Sequence, residues 1–380
     1  NPEDKLLDKY TENENFKIIF HEFTHYLDHI STLWGQKNLI KVFNALNAMH
    51  ESNENNFWYV VELYKDIKKF KYSKYYRVIN PYGVTNYKSL WKYQLSAGLR
   101  FDHTGKPNNQ SPVLFTRFYT QDNILMCRVP FSVESLLEAN AMTSEIQLQA
   151  SFIHELDANE RYIEQKLFLD KAMKWLYDPE LSTYSAATHF AANCCGIEDI
   201  TDSYVLSSQI SSVCLNMPDK FFDILAVPKS FESFGEKNSH FIKNRDIGFL
   251  YACIFQNIQD RGIKINAKTF DLNKALEMSN LPSVDEIEKA VAVEFDTIKN
   301  CILDGRLVDD LQVKLDIGKK VFLKRGVRFF KYNYIDYLKD GYIPAIIFAD
   351  DYDNNFLCKR YEVLSKIESK MDEFFEACGY

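Results

Sequence analysis

The segment His21-Glu22-Phe23-Thr24-His25 has the residue types and the spacing to do chemistry. Residues four apart on a helix lie on one face, one turn from each other. Two imidazoles so placed can bind one zinc ion at ~2.0–2.1 Å each. Glu22, about a quarter turn away, would reach a water on the ion rather than the ion itself. The ion lowers the pKa of that water to ~7, and a neighbouring carboxylate can take its proton and later hand it to a leaving amine. Two histidines hold a catalytic zinc poorly, so a third protein ligand is expected.

One arrangement places a third His shortly after the second, beyond a Gly. Here the stretch reads Tyr26-Leu-Asp-His-Ile-Ser-Thr, without Gly, and Ser31 stands where that ligand would fall. The other arrangement takes a Glu from a downstream helix. Residues 133–149 contain Glu134, Glu138 and Glu145 on one face, with Ala141 between them. A small residue one turn from the glutamate lets two helices approach, so Glu138 is the expected third ligand. Glu134 would serve the dipole of the first turn. Glu145, two turns and ~10 Å further on, would play no part.

With these residues the chain resembles the gluzincin metallopeptidases, on His21–His25 and, more loosely, on Glu138-Ala139-Asn140-Ala141. The resemblance implies zinc-dependent hydrolysis of peptide bonds in a protein or peptide substrate. It assigns His21, His25 and Glu138 as ligands and Glu22 as base. It also implies a sheet edge beside the active helix, on which an extended substrate would pair. Only 20 residues precede His21, so a hairpin at 113–129 is expected to supply that edge. An oxyanion stabiliser is expected too, with Tyr184 and His189 as candidates. Asp28 either orients a ligand from behind or is a solvated acid, and His29 reads as structural. A protease of this kind would need restricted access or an activating or inhibiting protein partner.

The elements that must position these residues follow from periodicity and breakers. Phe23, Tyr26, Leu27, Ile30, Leu33 and Trp34 recur at helical spacing, predicting a helix over 15–34 that stops at Gly35. A second helix is expected over Leu39–His50. Residues 57–79, rich in Val, Tyr, Phe and Ile, read in part as strand, and 102–112 as loop. Residues 113–119 and 124–129 form the expected hairpin around Thr120-Gln121-Asp122-Asn123. Ser132 is a fitting N-cap for 133–149. The rest is mostly helical, with Ser283 and Glu286 as a capping box opening a helix to about Leu303. The expected fold is therefore α+β and predominantly α-helical: a zincin-like core with a small sheet, then a helical region. Residues 1–178 would carry the catalytic part, and 179–380 the opposing wall or a partner surface.

Composition narrows the alternatives. Of the 380 residues 46% are hydrophobic and 26% charged, a globular mix. No run approaches the ~18 apolar residues of a membrane span. A net charge of -8 argues against general nucleic-acid binding. Two basic stretches with interleaved aromatics, from Lys65 to Arg77 and from Lys319 to Lys331, keep local contact with single strands open. They support the rival reading, a mainly helical interaction or nucleic-acid-binding protein with a structural metal site. The Asp351, Asp353, Asn355 and Glu362 set lacks the Gly of a calcium loop, because Phe356 stands there. Eight scattered cysteines without a CxxC pair, and no apolar leader ahead of Asn1, point to the cytoplasm or delivery into a host cytosol. Cys194 and Cys195 read as part of a buried helix.

Overall fold

The computed structural model describes residues 2–51, 54–80, 91–102, 104–263, 265, 269–328, 337, 339–342, 369 and 373, the side chains of 2–15 and 51 excepted. Three helices come first: α1 (Pro2–Ser31), α2 (Leu33–Glu51) and α3 (Trp58–Phe70). Four strands follow: β1 (Val78–Ile79), β2 (Lys92–Phe101), β3 (Pro107–Tyr119) and β4 (Leu125–Pro130). The remainder is helical: α4 (Val133–Glu155), α5 (Ala158–Leu176), α6 (Ser182–Cys195), α7 (Ile200–Leu215) and α8 (Asp219–Phe222). Then come α9 (Lys237–Lys243), α10 (Ile247–Asp260), α11 (Leu272–Met278), α12 (Val284–Thr297) and α13 (Val308–Arg325). The fold is α+β and predominantly helical, as expected. No helix among the described residues is long and apolar enough to cross a membrane.

The chain divides into two compact units that interleave in sequence. The first comprises residues 1–26, 72–287 and 327–329; the second comprises 27–71, 288–326 and 330–380. The expected division at 178/179 falls inside the first unit.

In the first unit the sheet is antiparallel, in the order β1-β4-β3-β2. The β3–β4 hairpin turns where expected, with Asn123 at φ 63°. Both of its strands are internal: β3 also pairs with β2, and β4 with β1 at Arg128 and Cys127. The hairpin therefore offers no free edge for a substrate strand, and that expectation is overturned. The loop expected over 102–112 shrinks to 102–106, because β3 begins at Pro107. Asp102 Oδ1 closes this turn by accepting from the Thr104 and Lys106 amides. The strands outrun the apolar pattern here, and the polar stretch is simply the exposed end of a long hairpin. The core lies on α10, whose residues from Gly248 to Ile258 are all buried. Phe131 and Phe190 pack in tilted or edge-on contacts with Tyr251 and Phe255 of this helix.

In the second unit two expectations change. Gly35 does not stop a helix; it lies within α2 without a positive φ. A Cβ there would stand 2.3 Å from the Asp28 and His29 carbonyl oxygens, so glycine is needed for close approach. Thr32 makes the break instead, its Oγ1 donating to Asp28 O and accepting from Gly35 N. Residues 58–70 are helix rather than strand. Val60 and Leu63 face Ala45 and Ala48 of α2 at helical spacing, and packing overrides the β-propensity of Val and Tyr. The capping box, at the end of the first unit's 72–287 segment, opens α12 as expected, with Ser283 N donating to Glu286 Oε2 at 2.9 Å. That helix ends at Thr297 and passes into a single tighter turn, Ile298–Cys301.

Candidate metal centre

Helix α1 presents His21, Glu22 and His25, and α4 presents Glu138 and Glu145. Ser132 caps α4, its Oγ accepting from Glu134 N at 3.3 Å. Glu138 thus lies well inside the helix. The two helices meet on small residues. Ala141 is fully buried, and Thr24 Oγ1 donates to Ser144 Oγ at 2.9 Å, both residues out of solvent. A larger side chain at either place would hold the helices apart.

That approach brings three donor atoms together. His21 Nε2 and His25 Nε2 are 3.1 Å apart. Glu138 Oε2 lies 3.4 Å from the first and 3.5 Å from the second. Ligands ~2.0–2.1 Å from a tetrahedral zinc stand about 3.3 Å from one another, so the three separations match three edges of such a shell. Glu138 Oε2 is buried without a hydrogen-bond partner, a costly arrangement unless something else satisfies it. The His2Glu donor set fits zinc on chemistry and on geometry. Among the described residues this is the one such cluster.

Charge pairing outweighs burial on both sides of this cluster. Burial alone would lower the pKa of His21, but Glu138 and Glu145 outweigh it and raise the imidazole to about 9. Burial works against charge on Glu138 as well, and His21 and His25 outweigh it, bringing the carboxyl to about 2.

Glu145 is the residue that sequence reasoning set aside. Its Oε1 lies 2.6 Å from His21 Nδ1, a bond that fixes the ring and leaves Nε2 turned toward His25 and Glu138. Glu138 and Glu145 are seven apart, two helical turns. Each carboxylate meets a different nitrogen of His21, Glu138 at Nε2 and Glu145 at Nδ1. The signal was the shared face of the three acids, but only the packing shows that two of them serve one ring. Glu134 is exposed at the start of α4, and Glu22 is exposed beside His21.

The two oxyanion candidates separate. The Tyr184 ring lies 6.2 Å from that of His21, and its side chain is 36% exposed. The charges of Glu138, Glu134, Glu22 and Glu145 push its hydroxyl pKa up, Glu138 foremost, so it stays a donor at neutral pH. His189 is fully enclosed, its Nε2 2.6 Å from Leu176 O and its ring stacked on Trp91. Burial drops its pKa to about 4, and it is a core residue. Asp28 is not solvated: it is buried, with the Arg325 guanidinium 3.7 Å from its carboxylate. His29 packs edge-on to Trp34.

Part of the two basic stretches is taken up by pairing within the chain. Lys69 and Lys41 pair with Asp66, and the Lys68 ammonium lies 4.3 Å over the Tyr64 ring. Lys319 and Lys324 pair with Asp296 and Asp340. Cys194 and Cys195 are buried in α6. The 351–362 set and the 329–331 part of the second basic stretch lie outside the described residues. Comparison with known proteins finds no matching family model, no matching curated protein and no matching solved structure.

Proposed function

We propose that this chain is a zinc metallopeptidase of the gluzincin type, hydrolysing peptide bonds in a protein or peptide substrate. The observation that carries the reading is the set of separations among His21 Nε2, His25 Nε2 and Glu138 Oε2, all near the edge of a zinc tetrahedron. These three residues would hold the ion, which would supply Lewis acidity, acidifying water and polarising a carbonyl. Three protein donors leave a coordination position open, the mark of a catalytic rather than a structural site.

The chain's own groups divide the remaining work. Glu145 holds His21 through Nδ1 so that Nε2 keeps its lone pair for the ion. Glu22 is next to His21 yet exposed, and its carboxylate takes no part in the ligand set. It accepts the proton of the attacking water and returns it to the leaving nitrogen, work worth ~10²–10⁴ in rate. Tyr184, still protonated, donates its O–H toward the negative charge that develops on the carbonyl oxygen. The described cysteines are all free thiols, which suits the cytoplasm or a host cytosol. Control of such an activity would fall to a narrow substrate range or to a protein partner.

The test is hydrolysis of an unbiased quenched peptide library by the full chain, with and without a chelator, beside Glu22→Gln. Chelator-sensitive cleavage that disappears in Glu22→Gln while zinc is retained is expected. Zinc-loaded protein that cleaves nothing would favour the rival reading, a structural metal in an interaction protein.

A further inference from the structure

Tyr184 sits in the first turn of α6, and that turn has no cap of its own. Leu181 occupies the N-cap position and makes no side-chain hydrogen bond to the helix. The first amides of a helix need partners, and without them the turn frays. The chain enters α6 through a tight turn, Pro179–Leu181, itself started by Asp178, whose Oδ1 accepts from Glu180 N at 2.9 Å.

One side chain from the sheet grips this turn. Arg77, just ahead of β1, donates through Nη2 to Pro179 O at 3.1 Å and to Glu180 O, and the same nitrogen lies 3.4 Å from Ser182 Oγ. The Glu180 carboxylate is 3.9 Å away. A cation is the wrong charge for a helix N-terminus, where the dipole favours anions. A residue serving only the stability of α6 would be an Asp or Ser at position 181. The guanidinium instead gathers two successive carbonyls, and comes near a hydroxyl, on one nitrogen, which ties the turn to the chain ahead of β1.

We propose that Arg77 is a positioning residue: it holds the 179–182 turn so that Tyr184 faces His21 and Glu138. The inference rests on the metallopeptidase reading for its catalytic consequence, but its structural half stands alone. It gives the sheet a part in the site that does not depend on a free edge.

The experiment places 3-fluorotyrosine at position 184 of the full, zinc-loaded chain and compares wild type, Arg77→Gln and Arg77→Lys. Arg77→Gln is expected to shift or broaden the 19F resonance and keep zinc stoichiometry. Its kcat on the peptide library should fall about 10–100-fold, the cost of a misplaced group, with KM near wild type. Arg77→Lys keeps the charge but puts a flexible ammonium in place of the rigid guanidinium, and should fall between the two. If Arg77→Gln does not fold, Arg77→Lys decides by the same measures. An unchanged resonance would overturn the proposal, whether or not kcat fell, because the loss would then be one of general stability. Should the wild type itself cleave nothing, the metallopeptidase reading fails, and the 19F comparison alone decides the role of Arg77.

Discussion

Two neighbouring stretches, one inside α1 and one crossing from α1 into α2, use polar residues for opposite ends. In His21–His25 the side chains keep partial exposure, 12% for His21 and 21% for His25. Their Nε2 atoms and Glu138 Oε2 converge, 3.1 Å, 3.4 Å and 3.5 Å from one another. In Asp28–Gln36 the polar groups are fully enclosed and grip one another. Asp28 lies 3.7 Å from the Arg325 guanidinium, which also donates to Ser31 Oγ at 3.2 Å. Gln36 Nε2 donates to Ile30 O and Leu315 O. Gly318 of α13 admits the Ile30 carbonyl where a Cβ would stand only 1.7 Å away. Polarity on a helix therefore does not mark a site. What sets the first stretch apart is the convergence of three atoms of metal-binding type, one of them, Glu138 Oε2, buried without a hydrogen-bond partner.

The sharpest way to break the contrast is to remove the ligands. The His21→Ala, His25→Ala double variant should retain no tightly bound zinc by metal analysis; full occupancy would end the metal hypothesis. Glu22→Gln should keep zinc and lose hydrolysis by ~10²–10⁴, so cleavage at the wild-type rate would remove Glu22 as base. Asp28→Ala tests the other stretch. It strands a buried Arg325 and should destabilise the protein by about 3–5 kcal/mol in denaturant unfolding. A loss of zinc stoichiometry in its folded fraction, with stability unchanged, would reverse the roles assigned to the two stretches.

Smaller effects sharpen the comparison. Glu145→Ala should weaken zinc binding ~10–100-fold by removing the bond that orients His21, whereas Glu134→Ala should leave affinity nearly unchanged. Equal effects from both would mean that bulk negative charge, rather than the bond to Nδ1, supports the site. The smallest effect is one of pH in chelated protein. His21 has its pKa raised from 6.5 to about 9. Its contribution to stability is thus complete below 6.5 and is lost as pH rises through 9. Glu138, lowered from 4.5 to about 2, contributes above 4.5 and loses that contribution as pH falls through 2. Because zinc must displace the His21 proton, its affinity should climb with pH up to about 9. A flat zinc affinity between pH 6.5 and 9 would remove the proton from His21.

Much of the candidate site was legible in the residues alone. The i, i+4 histidines share a face by helix geometry, and Ser132, Ala141 and the acid spacing singled out Glu138 before any packing was known. Glu145 was misjudged because its distance from Glu138 was measured along one helix, as though the partner were a point. The partner is a ring with two nitrogens on another helix, and two turns of separation suit its two sides. The solvated reading of Asp28 fails for a related reason: a partner, Arg325, lies almost 300 residues away. No local pattern announces a pairing at that range.

The sequence by itself determined whatever depends on period and on capping chemistry. That covers the helical character of the chain, the β3–β4 hairpin, the caps at Ser132 and Ser283, and the common face of His21 and His25. Tertiary structure decided what depends on meeting. It made 58–70 a helix by packing it on Ala45 and Ala48, closed both edges of the hairpin, and put His189 in the core while leaving Tyr184 beside His21. The physical reason is one of range. Backbone periodicity and caps act over a few residues and are written locally, whereas burial and pairing depend on which surface arrives opposite, and that surface comes from elsewhere in the chain.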